Sequence, residues 1–101
     1  MDKVDINAYL TQARKNAKKF GFNGDIELSD RKTKKLKFTD KSSGKVTHFG
    51  SSKNFDKILY ELQYGKDFAE QKAKQYRARA KAVFDKSNKL SASHLAWYVL
   101  W

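Results

Sequence analysis

Between Asp5 and Phe20 apolar side chains return at every third or fourth position: Ile6, Tyr9, Leu10, Ala13, Ala17 and Phe20. That spacing gathers them on one stripe and predicts a helix over 5–20. Asp5 is placed to cap it, and Gly21 to stop it. From residue 25 to residue 50 the period drops to two. The runs "DIELSD", "KKLKFTD" and "KVTHFG" alternate apolar with polar, and the polar connectors "RKT" and "KSSG" separate them. This predicts a three-stranded antiparallel meander. Ile26 with Leu28, Leu36 with Phe38, and Val46 with Phe49 (the last after a local irregularity) form one apolar face, which helices must cover.

The longer period then returns. Phe55, Ile58, Leu59 and Leu62 predict a short helix over 53–64, capped by Ser51 or Ser52 and ended by Gly65. Phe68, Ala69, Ala73, Tyr76, Ala80, Val83 and Phe84 predict a longer one over 66–86. After the polar stretch "DKSNKLSAS", Ser91 or Ser93 opens a last short helix. Its segment "SHLAWYVLW" leaves almost no polar face. The expected fold is α+β: an N-terminal helix, a three-stranded antiparallel meander, and two to three helices packed on one sheet face. Residues 1–101 are expected to form a single small basic domain.

A segment apolar on all sides is either buried or pairs with something. The closing segment is expected to act as an intramolecular lid on the sheet, burying Trp97 and Trp101. The other reading is an exposed anchor that forms a dimer or docks on another protein.

Length and composition narrow the classes. A chain of 101 residues buries roughly 65% of the surface exposed by its unfolded form, enough for a core. Apolar residues are 40% and aromatics 14% of the chain, which argues against a wholly disordered tail. Cysteine is absent, which removes disulfides, thiolate metal sites and thiol catalysis, and fits a reducing compartment. No apolar run approaches the roughly 20 residues of a membrane span. The opening "MDKVDINAYL" has early acids and no continuous apolar core, unlike an export leader. The expected location is the interior of a cell, not a secreted one.

Charge changes the picture most. Twenty-two Lys and Arg against eleven Asp and Glu give a formal net charge of +11. Such an excess calls for an anionic partner. Two stretches concentrate it. From Arg31 to Lys45, seven cations face one acid, Asp40. Strand alternation puts Lys35 and Lys37 on the solvent face, opposite Leu36 and Phe38. A ribbon carrying Lys32, Lys34, Lys35, Lys37, Lys41 and Lys45 can lie along a phosphate backbone. Lysines also discourage edge-to-edge aggregation of strands, but that needs only one or two. The second stretch, "KAKQYRARAK", contains no acid and carries Lys72, Lys74, Arg77, Arg79 and Lys81. Arg can fork onto phosphate where Lys cannot. Arg14, Lys15, Lys18 and Lys19 crowd the end of the first helix, where the helix dipole already favours cations.

Catalytic chemistry is sparse, and no enzymatic activity is expected. His48 and His94 stand 46 positions apart with no metal-ligand spacing around them. His48 reads as a strand-surface or half-buried residue, and His94 as part of a helix start. "GFNG" at 21–24 lacks the phosphate-loop pattern. The turn serines 42, 43, 51 and 52 have no paired base. No cofactor and no metal are expected. Phe38, Phe49, Phe55, Phe68 and Phe84 belong to the apolar faces, and Tyr76 is the one aromatic close to arginines.

"KKLKFTD…GKVTHFGS" resembles a motif of small basic proteins of large eukaryotic DNA viruses, an uncharacterised family of phycodnavirus- and mimivirus-like genomes. In that family a Lys-rich hairpin ends in a turn like His48-Phe49-Gly50. A basic helix follows, here Lys74, Tyr76, Arg77, Ala78 and Arg79. The tail is similar in its small pair, Ser91-Ala92, followed by Trp97, Leu100 and Trp101. The similar region covers about residues 34–101. "NFDKILYELQYG" looks like an addition, and His94 and Leu95 replace a more aromatic pair. The resemblance implies a viral origin and a shared fold, and supplies no catalytic residue.

The expected function is sequence-independent binding of nucleic acid, DNA more than RNA, by neutralising backbone phosphates. The alternative is a minor capsid or internal virion protein that docks on an acidic protein partner.

Overall fold

The change of period near residue 24 is a change of backbone. A computed structural model describes residues 5–101. Its elements are α1 (Ile6–Lys19), β1 (Gly24–Leu28), β2 (Lys34–Asp40), β3 (Val46–Ser51), α2 (Lys57–Tyr64), α3 (Lys66–Asp85) and α4 (Ala92–Leu95). A wider π-helical turn, Ala96–Leu100, continues α4. The fold is the α+β arrangement expected. The reading of the opening stretch as no export leader falls partly on residues 1–4, outside the described residues.

Both ends of α1 follow from their residues. Asp5 Oδ1 accepts from the Asn7 and Ala8 amides. At the other end Phe22 N–H reaches Ala17 O, and Gly21 N–H reaches Lys18 O. This paired closure requires a left-handed residue, which Gly21 provides at φ 82°.

The strands run in the order β1-β2-β3, antiparallel throughout. Ile26 opposes Phe38, and Leu36 opposes both Leu28 and Phe49. Ile26, Leu36, Phe38 and Phe49 face Tyr9, Ala13 and Ala17 of α1, Ile58 and Leu59 of α2, and Leu95, Val99 and Leu100 at the C-terminus in one core, whereas Leu28, expected on that face, lies at the end of β1 and is 41% exposed. The pattern in β3 differs from the expected one. No irregularity separates Val46 from Phe49. Thr47 opposes Phe38, and Val46 opposes Thr39 on the other face, where it is 48% exposed. Thr47 keeps its inward place because its hydroxyl donates to Leu90 O at 2.9 Å.

Helix α2 starts later than its apolar stripe suggests. Asp56, not Ser51 or Ser52, caps it, accepting from the Leu59 amide at 3.0 Å. Ser51 ends β3, and the Ser52 hydroxyl donates to Lys32 O. Phe55 lies before the helix and packs against Tyr60. Helix α3 lies outside α2 and buries only Ala69 and Ala73. Lys57 of α2 is bonded to Glu70 of α3 and holds that carboxyl below its usual range.

The closing segment covers the core, through residues other than the tryptophans. Leu95, Val99 and Leu100 are buried, while Trp97 and Trp101 stay half-buried between this segment and α3. Trp97 stacks on Phe84 at 4.2 Å, and Trp101 on Tyr76 at 4.4 Å. Ser91 is the cap, its Oγ accepting from His94 N. Among the described residues no helix is long and apolar enough to cross a membrane.

Candidate nucleic-acid interface

Central position decides what the β2 lysines can do. β2 has a partner on each side, so its lysines protect no edge. On its outward face Lys37 has Glu27 across one ladder and His48 across the other. Directly opposed residues of an antiparallel pair share a face. The outer sheet face is therefore mixed in charge and not the basic platform expected.

Lys35 departs furthest from expectation. Alternation put it in solvent, yet it is 7% exposed, and its Nζ lies 3.0 Å from Asp56 Oδ2. Asp56 itself is 1% exposed. The Tyr9 hydroxyl donates to the same oxygen at 2.6 Å, and Leu59 N–H to the other. A buried lysine needs such a partner, because an uncompensated charge in the interior is very costly. Burial first, then the Asp56 charge and hydrogen bond, push the Tyr9 phenol far above its ordinary range. The phenol remains a donor, and the ammonium and carboxylate cancel.

Lys35 and Asp56 of this network line the floor of a cleft of ≈ 840 Å³ at one end of the sheet. Lys34 enters from β2, Lys53 from the β3–α2 connection, and Lys72 and Arg79 from α3. None of these four has a carboxylate in ion-pair range among the described residues. Lys72 Nζ stands 5.8 Å from the Tyr60 ring centroid and 5.4 Å from that of Phe68. Tyr60, Tyr76 and Trp101 supply the aromatic wall. Burial raises the Tyr76 phenol, opposed by the charge of Arg79.

Helix geometry selects which α3 cations take part. Lys72, Tyr76 and Arg79 are spaced i, i+4, i+7 and share a face. Arg77 is two positions from Arg79, about 200° around the axis. It turns away and donates to Trp101 O. It lines a separate recess with Lys57, Gln12 and Asn16. Lys74 is exposed outside the cleft lining, and Lys81 pairs with Asp85 at 3.0 Å.

The hairpin cations divide in the same way. Lys32 stands at the cleft end of the sheet, beside Ser52. Lys41 and Lys45 lie in the turn at the far end of β2, roughly 20 Å away for a strand of this length. There Lys41 shares another recess with Arg14 and Lys18, and Arg14 Nε donates to Ile26 O. The structure thus unites Lys34, Lys72 and Arg79 at the cleft, with Lys35 neutralised beneath them, and leaves the other expected cations dispersed. The pattern reading missed Lys53, Asp56, Tyr60 and Trp101. The Lys72-Tyr76-Arg79 spacing was a usable signal.

Neither histidine forms a relay. His48 Nδ1 is 2.7 Å from Ser29 Oγ, and Asp30 approaches that same nitrogen, so among the described residues no carboxylate orients the ring from its other side. His94 is bonded to Ser87 and stacked on Phe84. Among the described residues no three His, Cys, Asp or Glu side chains meet in a metal-holding group. Comparison with protein-family models, curated proteins and solved structures gives no match to this chain.

Proposed function

We propose that this protein binds nucleic acid, DNA before RNA, chiefly through backbone phosphates and without reading sequence. One observation carries this: Lys34, Lys53, Lys72 and Arg79 converge on one cleft, and among the described residues none of them has a carboxylate in ion-pair range. The +11 net charge supports it by drawing in polyanions from a distance. The resemblance of residues 34–101 to small basic proteins of large DNA viruses supports a viral setting, in the virion or at a site of replication inside the host cell. A virus that packages a long genome needs counter-charge.

The test is fluorescence anisotropy of labelled duplex DNA at about 50 and 200 mM salt. With about four phosphates contacted, one for each cleft cation, affinity falls roughly a hundredfold between the two. Absence of binding at the lower salt overturns the reading.

A second reading has its own support. Leu62, Tyr64 and Phe68 lie exposed near the α2–α3 joint, with Tyr64 at 57%, and Lys66 and Lys72 stand near them in sequence. An exposed apolar patch on a chain of this net charge also suits an acidic protein partner within a virion. Co-sedimentation with acidic virion proteins, lost on Tyr64→Ser, would favour it.

A further inference from the structure

We propose that the cleft takes an unpaired nucleotide of a single strand, with phosphates on Lys34, Lys53 and Arg79 and a base against Tyr76 and Trp101. This rests on the nucleic-acid reading and specifies what that site selects. The cations stand around the cleft and the aromatic rings line its wall. A duplex keeps its bases stacked inside, so it reaches the cations alone. A base reaches the rings only when it is out of the stack.

The rings are set for this. Tyr76 and Trp101 lie nearly parallel, 10° apart, and both remain half-buried and not fully covered. Arg77 holds Trp101 through its carbonyl from the far side of α3. The two rings are therefore already stacked in the unliganded protein, which favours binding. The floor adds no net charge, because Lys35 and Asp56 are closed on each other and on Tyr9. The charge that meets a ligand is that of the rim. The cleft volume, ≈ 840 Å³, falls in the range of small-ligand sites, about 300–1,000 Å³. Stacking is tolerant of base identity, since every base presents a π-face.

The experiment compares four probes at about 50 mM salt. They are an unpaired thymidine strand of about 12 nucleotides, its duplex, an abasic strand of equal length, and a mononucleotide. Binding is followed by competition and by tryptophan fluorescence in Trp97→Phe, where Trp101 is the one reporter. The expected result is that the unpaired strand binds more tightly than duplex or abasic strand and alone quenches Trp101. Tyr76→Ala then weakens the unpaired strand by about five- to 150-fold and leaves duplex unchanged. Arg79→Gln, at an exposed position, weakens every strand and lowers the salt slope by about one, which keeps the comparison open if Tyr76→Ala fails to fold. Equal binding of unpaired, abasic and duplex strands with no quenching overturns the cleft assignment and leaves phosphate binding intact. Binding of none of them overturns both. A mononucleotide that quenches Trp101 as tightly as the strand does overturns the strand assignment in favour of a free nucleotide.

Discussion

Asp56 is the residue on which most depends. It caps α2, neutralises Lys35 of β2 and receives the Tyr9 hydroxyl of α1, and so joins three elements of the fold. Removing one partner of a buried ion pair strands the other charge. Asp56→Ala is therefore expected to lower stability by about 3–5 kcal/mol, measured by urea unfolding. Tyr9→Phe removes only one hydrogen bond to a charged group and should cost about 1.5–3 kcal/mol. Tyr9 also sets a pH response. Its folded phenol titrates above the ordinary value of 10.0, so the folded state holds its proton where the unfolded chain releases it. The stabilisation is fully present below that value and declines as pH rises beyond it. Tyr9→Phe should unfold with a shallower loss of stability above pH 10.0 than the parent, and circular dichroism across that range would show it.

At the scale of elements, what was readable in the sequence was periodicity and punctuation. α1 and α3 announce themselves by a repeated three- and four-residue spacing, and Asp5 and Gly21 by their places at the ends. The meander is legible because its turns are polar and its strands alternate. Errors arose where local pattern and long-range partner conflict. Phe55 extends the apolar stripe of α2, but Asp56 after it caps the backbone, so the helix starts at Lys57. Val46 is apolar yet faces out, because register counts positions and not polarity. Lys35 looks like a surface lysine until its partner, 21 residues away, is known. The cleft was only half legible: Lys72, Tyr76 and Arg79 share a helical face, whereas Lys53 and Trp101 join them only through the fold. One element contact is sharp enough to test. A Cβ at Gly24 would stand 2.1 Å from Thr39 O and 2.6 Å from the Phe38 ring. Gly24→Ala must therefore pry β1 from β2, and a loss of about 1–3 kcal/mol is expected from its urea midpoint.

Over the whole molecule the cations repel one another, since few carboxylates stand against them. A net charge of this size destabilises the compact state. The thermal midpoint should therefore rise as salt is raised from about 10 to 150 mM, where the screening length shortens to about 8 Å, and calorimetry reads this directly. The attachment of α3 has a consequence of another kind. The helix buries only Ala69 and Ala73 and otherwise leans on half-exposed rings. Segments with few buried apolar contacts open before the rest. Its backbone amides should therefore trade hydrogen for deuterium sooner than those of β2, which is bonded on both sides. One wall of the cleft is thus the first part of the protein to breathe. An anion that bridges Lys34 and Arg79 would latch that wall shut, and occupancy would be recorded as slower deuterium uptake in α3.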